Sequence, residues 1–424
     1  MVGPRLAGIA AEQGTPVWVY DADVVRSQIA RVRAFDVVRY AQKANSNVHL
    51  LRLMREEGVL VDAVSAGEIA RALAAGYRAG EPREEIVFTA DVLDRQTLDL
   101  VLRLGIPVNA GSLDMLAQLG ERAPGHPVWL RVNPGFGHGH SRKTNTGGDH
   151  SKHGIWWEQL PRAFALLDRD ELDLVGLHMH IGSGVDYDHL ARVAGAMRDT
   201  VLGAGRDVRA ISAGGGLSIP CRAGEPELDT ARYFAAWDGA RREIADRLGH
   251  GVRLEIEPGR FLIAQAGVLV AEVRAVKDQG RNRFLLVDAG FNDLLRPALY
   301  GAHHEITVLR PDGTPRTGGE RETSVAGPLC ESGDVFTQDG SGELAPVILT
   351  RAEVGDLLVF HDAGAYGAAM SSNYNSRPLA PEVLVDGDAT RLIRRRQTID
   401  DLLALELDPA PPESVHAEGR RHPA

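Results

Sequence analysis

Two cysteines in 424 residues, Cys221 and Cys330, are too few for a disulfide framework and wrongly spaced for a zinc cluster. If either matters, it matters as a thiol. The chain has no apolar run approaching membrane-spanning length, and residues 1–14 lack the apolar stretch of a secretory signal. The expectation is a cytoplasmic protein. Positive charge is in deficit, 47 Lys and Arg against 58 Asp and Glu, which argues against the clustered basic surface that nucleic acid requires and favours small-molecule partners. There is no repeat at solenoid spacing, and no low-complexity segment until residues 409–424, whose Pro, charge and small residues read as a disordered tail. The remaining composition is that of a soluble globular chain of two or three domains with room for a large core.

The chain is organised around Tyr40-Ala41-Gln42-Lys43-Ala44-Asn45. The apolar run 35–38 leads in and an amphipathic segment, 47–57, leaves it and stops at Gly58, so Lys43 is expected where a strand becomes a loop. A lysine in a tight, poorly hydrated pocket there can form an imine with a carbonyl cofactor. Taken alone, it is more often a solvated loop residue.

Beyond it, strand and helix patterns alternate. Residues 59–64, 86–89, 106–109, 128–132, 174–180, 208–213 and 252–256 read as strands, and Ser65-Ala66-Gly67-Glu68 as a capping box opening a helix that ends near Gly76. With the strand before Lys43 these make eight near-continuous apolar strands within roughly 250 residues, the pattern of a closed (β/α)8 barrel, with a doubly wound open sheet the weaker alternative. After residue 256 the pattern becomes short strands separated by Gly, Pro and Asp, which predicts an all-β sandwich or barrel domain. The early strand, 16–20, is expected to join it, with Asp23 capping a following helix through Arg33. Thr398 is the expected N-cap of a short last helix. The domain limits so read are a barrel over 26–265 and a β domain built from 1–25 and 266–408.

A barrel places active groups at the carboxyl ends of its strands, often with a phosphate site after strands seven and eight. Gly214-Gly215-Gly216 follows strand seven, and Glu257-Pro258-Gly259-Arg260 follows strand eight. Glycines let backbone N–H groups approach an anion closely, and Arg260 can add a bidentate contact. Each segment alone is weak evidence, since a glycine triplet is ordinarily a turn. His178 and His180 share one face of strand six, which leaves three readings open: a metal pair, satisfied core histidines, or a His180 ring stacked on a cofactor with Ser183 turned towards its phosphate. The irregular histidines of 136–153 read as a mobile loop. A carboxylate such as Glu257, beside a pyridine nitrogen, would keep that nitrogen protonated and make the ring an electron sink. Cys330-Glu331-Ser332-Gly333-Asp334 and Gly364-Ala365-Tyr366-Gly367 are polar loops in the β domain, although a lone cysteine is usually a packing residue.

Taken in order, these segments, with Arg296-Pro297-Ala298-Leu299-Tyr300 and Leu392-Ile393-Arg394-Arg395-Arg396, resemble the fold type III pyridoxal-phosphate-dependent amino acid decarboxylases over nearly the whole chain. The resemblance implies pyridoxal 5'-phosphate bound to Lys43 as an imine, His180 stacked on its ring and Glu257 on its pyridine nitrogen. It puts Ser183, Gly214, Gly215, Gly216, Pro258, Gly259, Arg260 and Tyr366 around the cofactor. It further implies a homodimer with shared sites, in which Cys330 protonates the carbanion and Arg260, Arg296, Tyr300, Glu331 and Tyr366 hold the substrate, expected to be meso-diaminopimelate decarboxylated at its D-centre to L-lysine. The alternatives are a related decarboxylase of another basic amino acid, or a non-catalytic cofactor binder.

Overall fold

The computed structural model describes residues 2–80, 84–137, 145–182, 187–222 and 224–407. Ser183, part of the 136–153 loop and the tail at 409–424 lie outside them.

Eight parallel strands close into a barrel. In spatial order they are Val37–Ala41, Leu60–Ala63, Ile86–Ala90, Val108–Ala110, Pro127–Asn133, Asp173–His178, Ala210–Ser212 and Arg253–Ile256, and the last pairs back with the first. Spatial order equals chain order, which rules out the doubly wound alternative. The strands are buried at nearly every position because helices cover the outside and side chains fill the inside, which is why they read as apolar runs rather than alternating ones. A buried charged pair closes the barrel: Arg39 Nε donates to Glu255 Oε2 at 2.6 Å, tying strand one to strand eight.

Helix starts follow local chemistry. Ser65 Oγ accepts from the Glu68 N–H, while Glu68 reaches back to the Val64 N–H, a capping box displaced by one residue. Asp21, not Asp23, caps helix Ala22–Ala30, accepting from the N–H groups of Asp23 and Val24. The strand ends at Asp21, so only its carboxylate can reach the first free N–H groups. Thr398 Oγ1 accepts from the Asp401 N–H at the start of Ile399–Leu407.

The second unit is a mixed sheet. Its long strand Gly267–Gln279 pairs antiparallel with Asn282–Val287, Leu357–Phe360 and the early strand Val17–Asp21, which in turn runs parallel to Glu382–Asp386. Val17–Asp21 therefore lies in the second sheet although it precedes the barrel. Helix Gly3–Gln13, which the sequence reading did not anticipate, covers this sheet with Leu6, Ala7, Ile9 and Ala10 packed on Val17, Val19 and Val359.

Candidate active site

Strand Val37–Ala41 ends directly in a single 3-10 turn, Gln42–Ala44. Tyr40 is fully buried and its hydroxyl donates to the Asn45 carbonyl at 3.0 Å, so the residues flanking the turn are clamped together. The Tyr366 N–H donates to the Ala44 carbonyl at 2.7 Å from the second unit. Gln42 and Ala44 are buried, and Lys43 alone in the turn is exposed. Its side chain lines a small cavity at the carboxyl ends of the strands.

That cavity brings together most of the residues singled out in the sequence. Lys43, His180, Gly215, Gly216, Glu257, Gly259, Arg260 and Tyr366 all border it. Gly214 and Pro258 do not, but each is bonded to it: Gly214 accepts from the Glu257 N–H at 2.8 Å and Pro258 from the Ala41 N–H at 3.3 Å. Three further polar lining residues escaped the sequence reading, Asp62, Thr89 and Arg131. Their common signal is a polar side chain near the carboxyl end of an otherwise apolar barrel strand.

Glu257 is buried, with Oε2 at 2.7 Å from His178 Nε2 and Oε1 accepting from Ser212 Oγ at 3.2 Å. Burial raises its pKa, but the charge and hydrogen bond of His178, with Arg39 and Ser212, outweigh this and hold it below the usual carboxylate range. Asp62 goes the other way. Burial and the Glu257 charge push its carboxyl well up against the opposing effects of Lys43 and Thr89, and its Oδ1 has no partner. The two neighbouring carboxyls are thereby split, one anionic and one favouring its proton. Burial, with Arg131, Lys43 and His178, pushes His180 well below the usual histidine range, so its ring is neutral at pH 7. Because Nδ1 accepts from the Gly215 N–H at 3.2 Å, the ring proton resides on Nε2.

Gly214 and Gly216 have φ of 60° and 100°, and a Cβ at Gly215 would stand 2.6 Å from the Glu257 carbonyl. The turn is thus confined to glycine by conformation and by contact with the acid's own backbone. Tyr366 also takes a left-handed φ of 57°, a strained choice for an aromatic residue that aims its ring under Arg260, 5.3 Å from the guanidinium. Arg296 is buried beside the same ring at 6.0 Å. Burial and the Arg260 charge push Arg296 down to about 10. Neither arginine has a carboxylate partner among the described residues, and Arg260 Nε is buried with no bond at all. The pair is a preformed attractor for anionic groups.

The residues present fit pyridoxal phosphate: an amine at the lip, an unpaired arginine and a glycine turn for a phosphate, and a buried anionic acid for a ring nitrogen. Tyr300 lies 5.9 Å from the Arg296 guanidinium but does not border the cavity. Cys330 and Glu331 are exposed and also outside it. Their loop is firmly built, with the Cys330 N–H donating to Asn375 Oδ1 at 2.9 Å and the Leu329 N–H to Asp334 Oδ2 at 2.8 Å. Ser183 lies outside the described residues. No group of three or more His, Cys, Asp or Glu among the described residues is arranged to hold a metal, and His178 is tied to Glu257 instead. Within the loop read as mobile, residues 145–153 are anchored: Thr146 Oγ1 donates to the His180 carbonyl at 3.1 Å and His153 bonds the Asp91 carboxylate.

Residues 21–264 match the family model for the pyridoxal-binding domain of pyridoxal-dependent decarboxylases. Across 96% of its own length and 93% of the relative's, the chain is 69% identical to diaminopimelate decarboxylase of Streptomyces coelicolor. The chain belongs to the diaminopimelate decarboxylase family. A crystal structure of a diaminopimelate decarboxylase superposes with a TM-score of 0.93 at 62% identity, covering 96% of both chains. A more distant member of the family, the Helicobacter pylori enzyme crystallised with L-lysine, superposes with a TM-score of 0.84 at 30% identity over 95% of this chain and all of that one. The barrel and second sheet are thus the family's architecture. No helix among the described residues is long and apolar enough to cross a membrane.

Proposed function

We propose that this chain decarboxylates meso-2,6-diaminopimelate at its D-centre to L-lysine and carbon dioxide, with pyridoxal 5'-phosphate tethered at Lys43. The observation that carries the reading is the meeting, in one cavity, of that lysine, the neutral His180 ring, the glycine turn, Arg260 and the anionic Glu257. Membership of the family and the lysine-bound relative support it.

When bound, the cofactor supplies a conjugated cationic ring that takes up the electron pair released as carbon dioxide leaves. Glu257 keeps the ring nitrogen charged, His180 presents a flat uncharged face to the ring, and Ser183, Tyr366, Arg260 and the turn of Gly214-Gly215-Gly216 hold the phosphate. Arg260 and Arg296 receive the substrate's distal carboxylate, with Tyr300 and Tyr366 beside them, while Glu331 receives its distal ammonium. A buried guanidinium left without its carboxylate costs several kcal/mol, which disfavours substrates lacking the second acid. Cys330 supplies the proton that replaces the lost carboxylate.

Cys330 and Glu331 stand outside their own chain's cavity, which supports a homodimer in which each loop enters the partner's site. The same reading takes 26–265 as the cofactor domain and 1–25 with 266–408 as the domain that lends these loops, in a cytoplasmic enzyme. The deciding assay measures carbon dioxide release by the pyridoxal-phosphate-loaded protein from meso-diaminopimelate, D-lysine, D-ornithine and L-arginine. Equal or faster turnover of a substrate lacking the second carboxylate removes the substrate assignment; a protein that stays colourless in pyridoxal phosphate removes the cofactor.

A further inference from the structure

His178 has no part in the reaction as just described, yet it is one of the most completely buried polar groups near the cavity, 1% exposed at the end of Asp173–His178. A histidine kept only for packing brings two ring nitrogens into an apolar interior at a cost that an apolar side chain would avoid. Here one nitrogen is used. Nε2 lies 2.7 Å from Glu257 Oε2, and Nδ1 has no partner among the described residues. Facing a carboxylate oxygen, Nε2 carries a proton and donates it in a hydrogen bond to Glu257 Oε2.

The other carboxylate oxygen accepts a hydrogen bond from Ser212 Oγ at 3.2 Å, and that same hydroxyl accepts from the Gly214 N–H at 3.2 Å. Barrel register makes this possible. His178 is paired with Ser212, and Ser212 with Glu255, and Glu257 follows two residues on, just past the end of that third strand and within reach of both side chains.

We infer that His178 is a positioning residue for Glu257, holding one carboxylate oxygen so that the acid faces the cavity in a single orientation. This rests on the cofactor reading above. Arg39, Asp62 and Arg131 also act on Glu257, but through charge alone; among the described residues, His178 and Ser212 are the side chains that hold it by direct bonds. A carboxylate held this way is oriented before the cofactor arrives, and both donors favour its charged form.

The test compares His178→Phe, which keeps a flat ring without nitrogens, with His178→Gln, which keeps an N–H donor. Each is loaded with pyridoxal phosphate and followed by borohydride-reducible attachment, visible absorption spectrum, kcat and KM. Phe is expected to load on Lys43 yet show a shifted band and a kcat lower by roughly 10- to 100-fold, with KM within about threefold of wild type; Gln is expected to recover most of both. Wild-type kcat and spectrum in the Phe variant would overturn the inference, as would a Gln variant no better than Phe. If Phe does not fold, nitrogen-15 spectra of ring-labelled wild type, assigned with the Gln variant, decide: a proton on Nδ1 and a bare Nε2 overturns it. A wild-type protein that takes up no pyridoxal phosphate instead sinks the functional reading, so the two failures are distinguishable.

Discussion

The Tyr20 hydroxyl donates to Glu382 Oε2 at 2.7 Å, joining two strands of the second sheet, and accepts from Asn45 Nδ2 at 2.9 Å, two residues beyond Lys43. Glu382 also accepts from Asn47 and pairs with Arg394. The lysine turn therefore rests on a fully buried polar strut from the other unit. Tyr20→Phe, which removes the nearer acceptor of Asn45 Nδ2 and the hydroxyl donor to Glu382 Oε2, is expected to cost about 1–3 kcal/mol of stability, and Glu382→Ala more, since Arg394 then loses its carboxylate partner. Urea unfolding of the two variants measures this, and a Glu382→Ala protein as stable as wild type would contradict the strut.

Lys43→Ala is expected to lose both the borohydride-reducible link and turnover. Cys330→Ala should keep the cofactor's colour and lose most turnover, because an exposed thiol outside the cavity has no part in holding the cofactor. Mixing the two inactive proteins should restore activity through hybrid dimers with one intact pocket. No recovery after subunit exchange counts against the shared site.

Gly216→Ala tests the glycine turn. At a φ of 100°, with a Cβ aimed at the Gly182 carbonyl, alanine cannot keep the native backbone. Affinity for pyridoxal phosphate, read from an absorbance titration, is expected to fall about tenfold or more. Unchanged affinity would mean that the turn does not grip the phosphate.

Asp293 gives a pH signature away from the chemistry. Burial, opposed by the Gly290 N–H bond, raises its carboxyl to about 6. The native state therefore holds this proton more tightly than the unfolded chain does, and the group's contribution to stability is full below about pH 4 and lost as pH rises through about 6. Asp293→Asn retains an oxygen for Gly290 and cannot ionise. It should exceed wild type by about 3 kcal/mol at pH 8 and lose that advantage near pH 4. Equal differences at both pH values would show that Asp293 is not the titrating group.

Much of the barrel was legible because its strands are buried on both faces and so read as apolar runs, with Lys43, the glycine triplet and Glu257 at their ends where a barrel keeps its chemistry. The cap of Ala22–Ala30 was misplaced because Asp21 and Asp23 both suit the role by residue type, and only the strand's end point distinguishes them. Helix Gly3–Gln13 went unread, since its small apolar face gains meaning only against the second sheet. Asp62, Thr89 and Arg131 were missed because a single polar residue in an apolar run does not say which way it points.

Local pattern determined the elements, their alternation and the amine, acid and turn glycines at the strand ends, because strand burial, capping and left-handed turns are decided by residues a few positions apart. Tertiary structure alone decided that His178 meets Glu257, that Tyr20 and Glu382 brace a lysine turn on the other unit, and that two arginines stand together with no carboxylate partner among the described residues. Those outcomes depend on distances between groups far apart in the chain, and only closure of the barrel against the second sheet sets them.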